Sequence, residues 1–301
     1  MNEEINELES VRKAIVVGFG TEKNRCIAFC EGLKKHGVEV TFAKKNEIPI
    51  IGYDLAIVCG MHEFEERAIK RFASRYIPTI VCDLGYMRRA KADDNSGYHQ
   101  FGYHHIGWTP KEPVSGDRLA QLGIGKIKRA SNSGSGYLVA GQVPNDSQHK
   151  MNVEQCVQWF RNAAFKIRAM TKNHRKIIFR PHPRFPAWTK LADFETQDCY
   201  EMDIEEAIHQ CYCLVTYNST AAIEAIIQGK PIICSEQAHY ANLGNRILDA
   251  GNERVASVNE RKSYLERLAY AQWTLEEAAS GAAWGFLKTQ YIKEKDVLTK
   301  R

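Results

Sequence analysis

Two short stretches of this chain hold residue types suited to recognising phosphate. The first is Tyr217-Asn218-Ser219-Thr220-Ala221-Ala222-Ile223-Glu224-Ala225, which runs on to Gly229-Lys230-Pro231-Ile232-Ile233. It follows an apolar run, Cys211 to Thr216, that reads as a buried strand, and Asn218 or Ser219 can cap the helix that comes next. In a strand, hydroxyl-rich turn, helix, strand sequence, free backbone N–H groups and the helix dipole converge on the turn and favour an anion. The second stretch, Ile177-Ile178-Phe179-Arg180-Pro181-His182-Pro183-Arg184, places two arginines and a histidine at the end of another strand. Together they are expected to hold a nucleotide monophosphate or diphosphate that carries a sugar.

His182 stands between two prolines, which restrict the backbone and remove two amide donors, so side chains must do the recognising. An imidazole here can donate to a phosphate oxygen, and Arg180 or Arg184 can add a guanidinium fork. The alternative is a rigid loop with a structural histidine. Ser219 and Thr220 can bind phosphate through hydroxyl and amide groups, or simply cap the helix. Glu224 lies one turn further on, where a carboxylate in an apolar helix needs a partner. Ribose hydroxyls would supply one; a salt bridge to Lys230 or to an arginine is the alternative. Asp83 ends a strand of the first half and is the leading candidate for general base, with capping of the following turn as its other role; Glu22 and Glu63 are weaker candidates. Gly18-Phe19-Gly20 is a fragment of a dinucleotide motif without its third glycine and does not imply NAD.

The elements that must position these groups alternate. Lys13 to Val17, Val38 to Phe42, Asp54 to Gly60 and Pro78 to Asp83 read as strands, with helices over Glu22 to His36 and Phe64 to Tyr76. This βαβα order predicts a parallel sheet covered by helices on both faces. Residues 86 to 135 lose the periodicity, and Ser131-Asn132-Ser133-Gly134-Ser135-Gly136 reads as a linker. Tyr137 to Gln142 starts a second α/β unit, followed by a helix from Val153 to Met170, and beyond Ala256 the chain reads as helical. The expected class is α/β, with two Rossmann-like domains facing a cleft: residues 1–130 for the acceptor, 131–270 for the nucleotide sugar, and helices over 271–301 packing back on the first domain.

Composition bounds the rest. With 301 residues, 44% hydrophobic and 26% charged, the chain fits a soluble globular protein of two domains. No apolar run approaches the roughly 18–20 residues that span a bilayer. The acidic start, Met1 to Glu7, has no apolar core of a secretory signal, so a cytoplasmic location is expected. Nine cysteines, several of them in strand-like runs and none in Cys-x-x-Cys spacing, read as reduced structural thiols rather than metal ligands. A net charge of +5 suits phosphorylated substrates and permits nucleic-acid contact.

Arg180-Pro181-His182-Pro183 paired with Asn218-Ser219-Thr220, Glu224-Ala225 and Gly229-Lys230-Pro231 resembles the capsule-polysaccharide biosynthesis glycosyltransferases, a group with the GT-B fold that includes Kdo-transferases. Val139-Ala140-Gly141-Gln142-Val143-Pro144 is similar to the same group. The resemblance covers mainly residues 137 to 235. It implies that His182, Ser219, Thr220 and Glu224 bind the nucleotide portion of an activated sugar, with Gly141, Gln142, Arg180, Arg184 and Asn218 completing the substrate-binding set. The expected activity is transfer from a CMP- or UDP-linked sugar to an acceptor hydroxyl, with Asp83 and His182 as catalytic residues and neither cofactor nor metal. The acceptor is a surface glycan or a hydroxymethylated DNA base, the latter suggested by Arg88-Arg89-Ala90-Lys91. The aromatic stretch Tyr98 to Trp108 is the expected acceptor-side element, with a loop folded on its own aromatic residues as the alternative. A non-hydrolysing UDP-sugar 2-epimerase and a non-catalytic nucleotide-sugar-binding module are the rival readings.

Overall fold

A computed structural model describes residues 11–44, 46–89, 96–171, 175–185, 195–197 and 201–300. The acidic start, Ala90, Lys91 and Cys199 lie outside them. The chain forms two compact units, one built from the chain up to Leu122 plus the stretch from Glu266 onward, the other from Gly123 to Leu265.

In the first unit, β1 (Lys13–Val17), β2 (Glu39–Phe42), β3 (Leu55–Cys59) and β4 (Thr79–Leu84) are mutually parallel. Helices α1 (Asn24–Lys35) and α2 (Glu63–Ala73) make the crossovers. The strands read as continuous apolar runs because both faces are covered. Ala14, Val16, Ile57, Cys59 and Cys82 pack with Phe29 and Leu33 of α1. Ile15, Val17, Ala56 and Val58 pack with Phe64, Ala68 and Phe72 of α2. A fifth strand, β5 (His99–Tyr103), runs antiparallel to β4, and a short α3 (Asp117–Gln121) follows.

Here the structure corrects the sequence reading. The large aromatic residues of the Tyr98 to Trp108 stretch belong to the core: Phe101, Tyr103 and Trp108 are buried. Phe101 stacks on Phe29 at 5.1 Å, and Tyr103 donates to the Leu287 carbonyl at 2.9 Å. With both faces of β5 covered, its sequence shows no polar-apolar alternation, which is why it reads as irregular.

The second unit holds β6 (Gly136–Ala140), α4 (Val153–Met170), β7 (Lys176–Arg180), β8 (Glu195–Thr196), α5 (Ile204–Gln210), β9 (Cys213–Val215), α6 (Ala221–Gln228) and β10 (Ile232–Ile233). Its sheet is parallel throughout, in the order β10-β9-β6-β7-β8. Helix α4 starts at a capping box in which Asn152 and Gln155 satisfy each other's amides, and it buries Phe160, Ala164 and Ile167 against Tyr137, Val139 and Phe179. Gly229 ends α6 in the left-handed region (φ 72°), where a β-carbon would also strike the Arg129 carbonyl.

Helix α7 (Val258–Ala269) brings the chain back into the first unit, where β11 (Gln272–Trp273) adds antiparallel to β5. The sheet order there is β11-β5-β4-β3-β1-β2. Helices α8 (Leu275–Ser280), α9 (Ala282–Leu287) and α10 (Tyr291–Thr299) follow, and Trp284 and Leu287 enter the core beside Phe29. Arg118, only 4% exposed, fastens this return. It lies over the Trp273 ring at 4.0 Å, donates to the Gln272 carbonyl at 2.7 Å and pairs with Glu277 at 2.6 Å.

Candidate functional site

Strand order decides where a ligand can sit. In the second unit the chain leaves β6 towards β7 on one side and returns as β9 on the other. The exits of β6 and β9 therefore diverge, which opens the crevice where α/β sheets of this kind bind ligands.

Gln142 ties this crevice together. Its side chain is 7% exposed. Its Oε1 accepts from the amides of Tyr217 at 2.9 Å and Asn218 at 3.2 Å, while its Nε2 donates to Asn218 Oδ1 at 2.5 Å. Thr216 Oγ1 accepts from the Ser219 amide at 3.1 Å, and Tyr240 Oη donates to the Ser219 carbonyl at 2.8 Å. Thus Asn218, the residue with the strongest capping chemistry, is spent on Gln142. Ser219 and Thr220 stand half-buried at the start of α6. Asn218 and Gln142 hold the turn, while the first amides of α6 are taken up locally: Ala221 N donates to Ser219 Oγ at 3.3 Å, Ala222 N to the Ser219 carbonyl at 3.1 Å and Ile223 N to the Thr220 carbonyl at 3.0 Å.

The β7 exit lies directly beside. Gly141 donates to the Arg180 carbonyl at 2.8 Å, and a β-carbon on Gly141 would sit 2.9 Å from the His182 amide nitrogen. Only glycine lets the two loops approach this closely. His182 Nδ1 accepts from the Arg184 amide at 3.1 Å, so the proton of the neutral ring resides on Nε2, which is thereby fixed as a donor. Arg180, the last residue of β7, is held by two neighbouring segments. Its side chain is buried, with Nη1 donating to Gln197 Oε1 at 3.1 Å and Nη2 to the Met202 carbonyl at 2.5 Å. Arg184 is exposed and meets the site through its backbone.

Glu224 is half-buried and accepts from Gln228 Nε2 at 2.6 Å, one turn along α6. The alternative weighed for Glu224, a salt bridge to Lys230, is not how that lysine is used. Lys230 Nζ donates to the carbonyls of Ser133 at 3.0 Å and Cys211 at 2.9 Å, and burial lowers its pKa. One carboxylate was not singled out in the sequence: Asp146, half-buried on the loop that follows Gln142. Its Oδ1 accepts from the Gln148 amide at 2.9 Å, and the loop closes through Asn145 N to the Met151 carbonyl at 2.7 Å. Only its spacing, four residues past Gln142, could have pointed to it.

Asp83 belongs to the first unit, at the exit of β4. It forms an ion pair with Arg25 at 3.7 Å, and its Oδ1 accepts from the Leu84 amide at 2.7 Å. Glu22 and Glu63 are exposed. Arg88, from the basic cluster, donates through Nε to the Leu122 carbonyl at 3.2 Å.

A cavity of about 260 Å³ lined by Tyr137, Met170, Thr171, Arg175, Tyr212, Gly251 and Asn252 lies at the opposite, strand-entry edge of the second sheet. There Glu253 accepts from Tyr137 Oη at 2.6 Å and Tyr212 Oη at 2.8 Å, and burial raises the pKa of both phenols. Among the described residues no three His, Cys, Asp or Glu side chains are grouped to hold a metal ion, and no helix is long and apolar enough to cross a membrane. The eight described cysteines are buried and free.

Residues 85–253, more than half of the chain, match the family of capsule polysaccharide biosynthesis proteins, and the chain belongs to that family. Among solved structures it is similar to the β-Kdo 2,4-transferase of KpsC from Thermosulfurimonas dismutans. The TM-score is 0.59 at 14% identity, covering 87% of this chain and 91% of the other. It is also similar to the β-Kdo 2,7-transferase of the same KpsC, with a TM-score of 0.53 at 17% identity and coverage of 91% and 100%. At these identities the likeness shows a shared two-unit Rossmann-like fold. A sequence search of curated proteins finds no match.

Proposed function

We propose that this protein is a glycosyltransferase of the GT-B type, acting in capsule polysaccharide synthesis and taking its sugar from a CMP- or UDP-linked donor. The observation that carries this reading is the exit edge of the second sheet. There Gln142 fixes the Asn218 turn ahead of α6, and Gly141 admits the neighbouring loop, which carries His182. Family membership and the Kdo-transferase activity of the fold neighbours support the same class.

In the reaction, the acceptor hydroxyl oxygen bonds to the anomeric carbon and the bond from that carbon to the phosphate oxygen breaks. The electron pair leaves with the nucleotide, and the acceptor proton passes to a carboxylate. His182 would stabilise the departing phosphate; Ser219 and Thr220 would bind it, and Glu224 the ribose. This scheme is metal-independent. Asp83 is the proposed base, and Asp146, carried by the same unit as His182, is the alternative. A glycan acceptor is favoured over DNA, because the family is one of polysaccharide synthesis and Arg88 is engaged with the Leu122 carbonyl.

Thermal-shift titration with CMP, UDP, GDP, ADP and their sugar conjugates tests the reading, since a ligand raises the stability of the state it binds. A shift with one nucleotide that is lost in His182→Ala supports it. A shift of equal size in that variant would remove His182 from the phosphate site.

A further inference from the structure

Charge in the second unit is sorted by segment. Between Glu154 and Asp193 the chain carries nine Lys and Arg residues and no Asp or Glu. Between Lys190 and Lys230 it carries eight Asp and Glu residues and no Lys or Arg. A solvated surface ordinarily intersperses the two signs. The fold turns this sorting into two faces. Helix α4 leads from β6 out to β7, and α5 leads from β8 back past both to β9. Right-handed crossovers that step in opposite directions place their helices on opposite faces of a parallel sheet. Helix α4 covers the face of Tyr137, Val139 and Phe179, so α5 belongs to the other.

On the α4 face, Arg161, Phe165 and Arg168 follow i, i+4, i+7 spacing and form one stripe along the helix, with Lys166 beside them. All four are exposed. No acid follows Glu154 on this helix, and neither Arg161 nor Lys166 forms an ion pair among the described residues. Arg168 stands in the last turn, where the helix dipole favours a cation; the other two are not explained in that way. Apolar side chains accompany the charges. Phe165 is 74% exposed and Met170 40%. Leu248, also exposed, lies on the short helical turn Ile247–Asp249, and a β-carbon on the nearby Gly251 would meet the Met170 carbonyl at 3.3 Å. The exposed charges at α5 are Glu201, Asp203, Glu205 and Glu206.

A partner has to suit both the sign and the layout. Opposite charges on opposite faces are not matched in a two-fold pair of copies, and copies stacked face to back would grow without closing. A helix seated flat on its sheet offers no groove to a single nucleic-acid strand and does not protrude into the groove of a duplex. An extended anionic surface attracts one face, repels the other and so fixes the orientation of the unit, and a lipid interface also accepts Phe165.

We propose that the α4 face of the second unit docks on an anionic phospholipid bilayer, with Arg161, Lys166 and Arg168 among the headgroups and Phe165 in the interface. Docking of this kind does not depend on what the protein transfers. The stripe lies towards the strand-entry end of α4, away from the exit edge of the sheet.

The test sediments the full chain with vesicles of phosphatidylcholine alone and of phosphatidylcholine mixed with phosphatidylglycerol. Binding should require the anionic lipid and weaken as salt rises. Arg161→Gln combined with Lys166→Gln should weaken it about 25-fold, about five-fold for each cation near an anionic surface. Phe165→Ser should weaken it about ten-fold. Lys34→Gln combined with Lys35→Gln removes the same charge from the first unit and should leave binding unchanged. The added fluorescence of a Phe165→Trp variant should be quenched by brominated lipid. These positions are exposed, and an unchanged urea midpoint reports that the variants are folded. No binding to the anionic vesicles, equal binding to phosphatidylcholine alone, an equal loss in the Lys34 and Lys35 variant, or no quenching in the Phe165→Trp variant would overturn the proposal. So would a DNA duplex that binds the α4 stripe more tightly than the vesicles do, which would assign the face to nucleic acid instead.

Discussion

The exit edges of the two sheets are built on the same βαβ logic and yet differ in how their polar atoms are satisfied. In the second unit Gln142, Asn218, Thr216 and Ser219 form a closed set of hydrogen bonds that fixes two loops before any ligand arrives. In the first unit Glu65, His99, Gln100 and Gln272 each keep a buried atom without a partner among the described residues. One edge is held by its own hydrogen bonds, the pre-organisation that the proposed phosphate site would need. The other keeps buried polar atoms outside any such set.

This contrast can be attacked from the largest effect downward. His182→Ala should reduce transfer by about 10²–10³-fold, the usual loss for one donor to a developing charge; single-turnover kinetics with the donor identified by thermal shift would read it, and a loss under ten-fold would demote the residue. Gln142→Leu keeps the volume but strips the amides of Tyr217 and Asn218 of their acceptor. It should cost about 3 kcal/mol in urea unfolding, whereas a cost below about 0.5 kcal/mol would mean that the second edge is not held by this clamp. Arg180→Ala should cost about 2 kcal/mol through lost bonds to Gln197 and Met202; a variant of full stability but raised donor KM would return Arg180 to the ligand.

A pH series sharpens the other side. Burial, with a contribution from Arg25, pushes the His99 pKa down to about 4. The unfolded chain therefore takes up a proton near pH 6.5 that the folded chain refuses. Stability should be full above that pH and fall as pH drops from about 6.5 towards 4. His99→Phe should flatten this limb of a Tm-against-pH plot; an unchanged slope would show that other groups carry it. The smallest effect is expected for Glu65→Gln. It keeps an oxygen for the Phe19 amide and should move stability by less than about 1 kcal/mol, so a larger loss would reveal a partner for Oε2.

How far these edges were legible in the sequence follows from which signals are local. The apolar runs of β1, β3, β4 and β6, the helix from Val153 to Met170 and the glycine that ends α6 are set by neighbouring residues and could be read directly. His99 to Tyr103 could not, because a strand covered on both faces loses its alternation, and Gln272–Trp273 is too short to show any. Spacing could place Arg180 at a strand end but not say which way its guanidinium turns; that depends on Gln197 and Met202, which come later in the chain. Asn218 looked like a cap, and only the fold brings Gln142 against it. Lys230 looked like a partner for Glu224 but reaches carbonyls on two other segments.

Arg118 stacked on Trp273 has a consequence for the order in which the protein is made. The first unit is not complete when Leu122 is synthesised; its sheet waits for Gln272–Trp273, and its core waits for Trp284 and Leu287. The second unit is one uninterrupted stretch and needs nothing that comes after Leu265. We therefore predict that on the ribosome the later-encoded unit matures first, while the outer edge of β5 stays open to stray strand pairing. Pulse proteolysis of nascent chains stalled so that Leu265 has just cleared the exit tunnel would find the second unit protected and the first cleaved; protection of both would show that β11 and the helices after it are dispensable for the first unit.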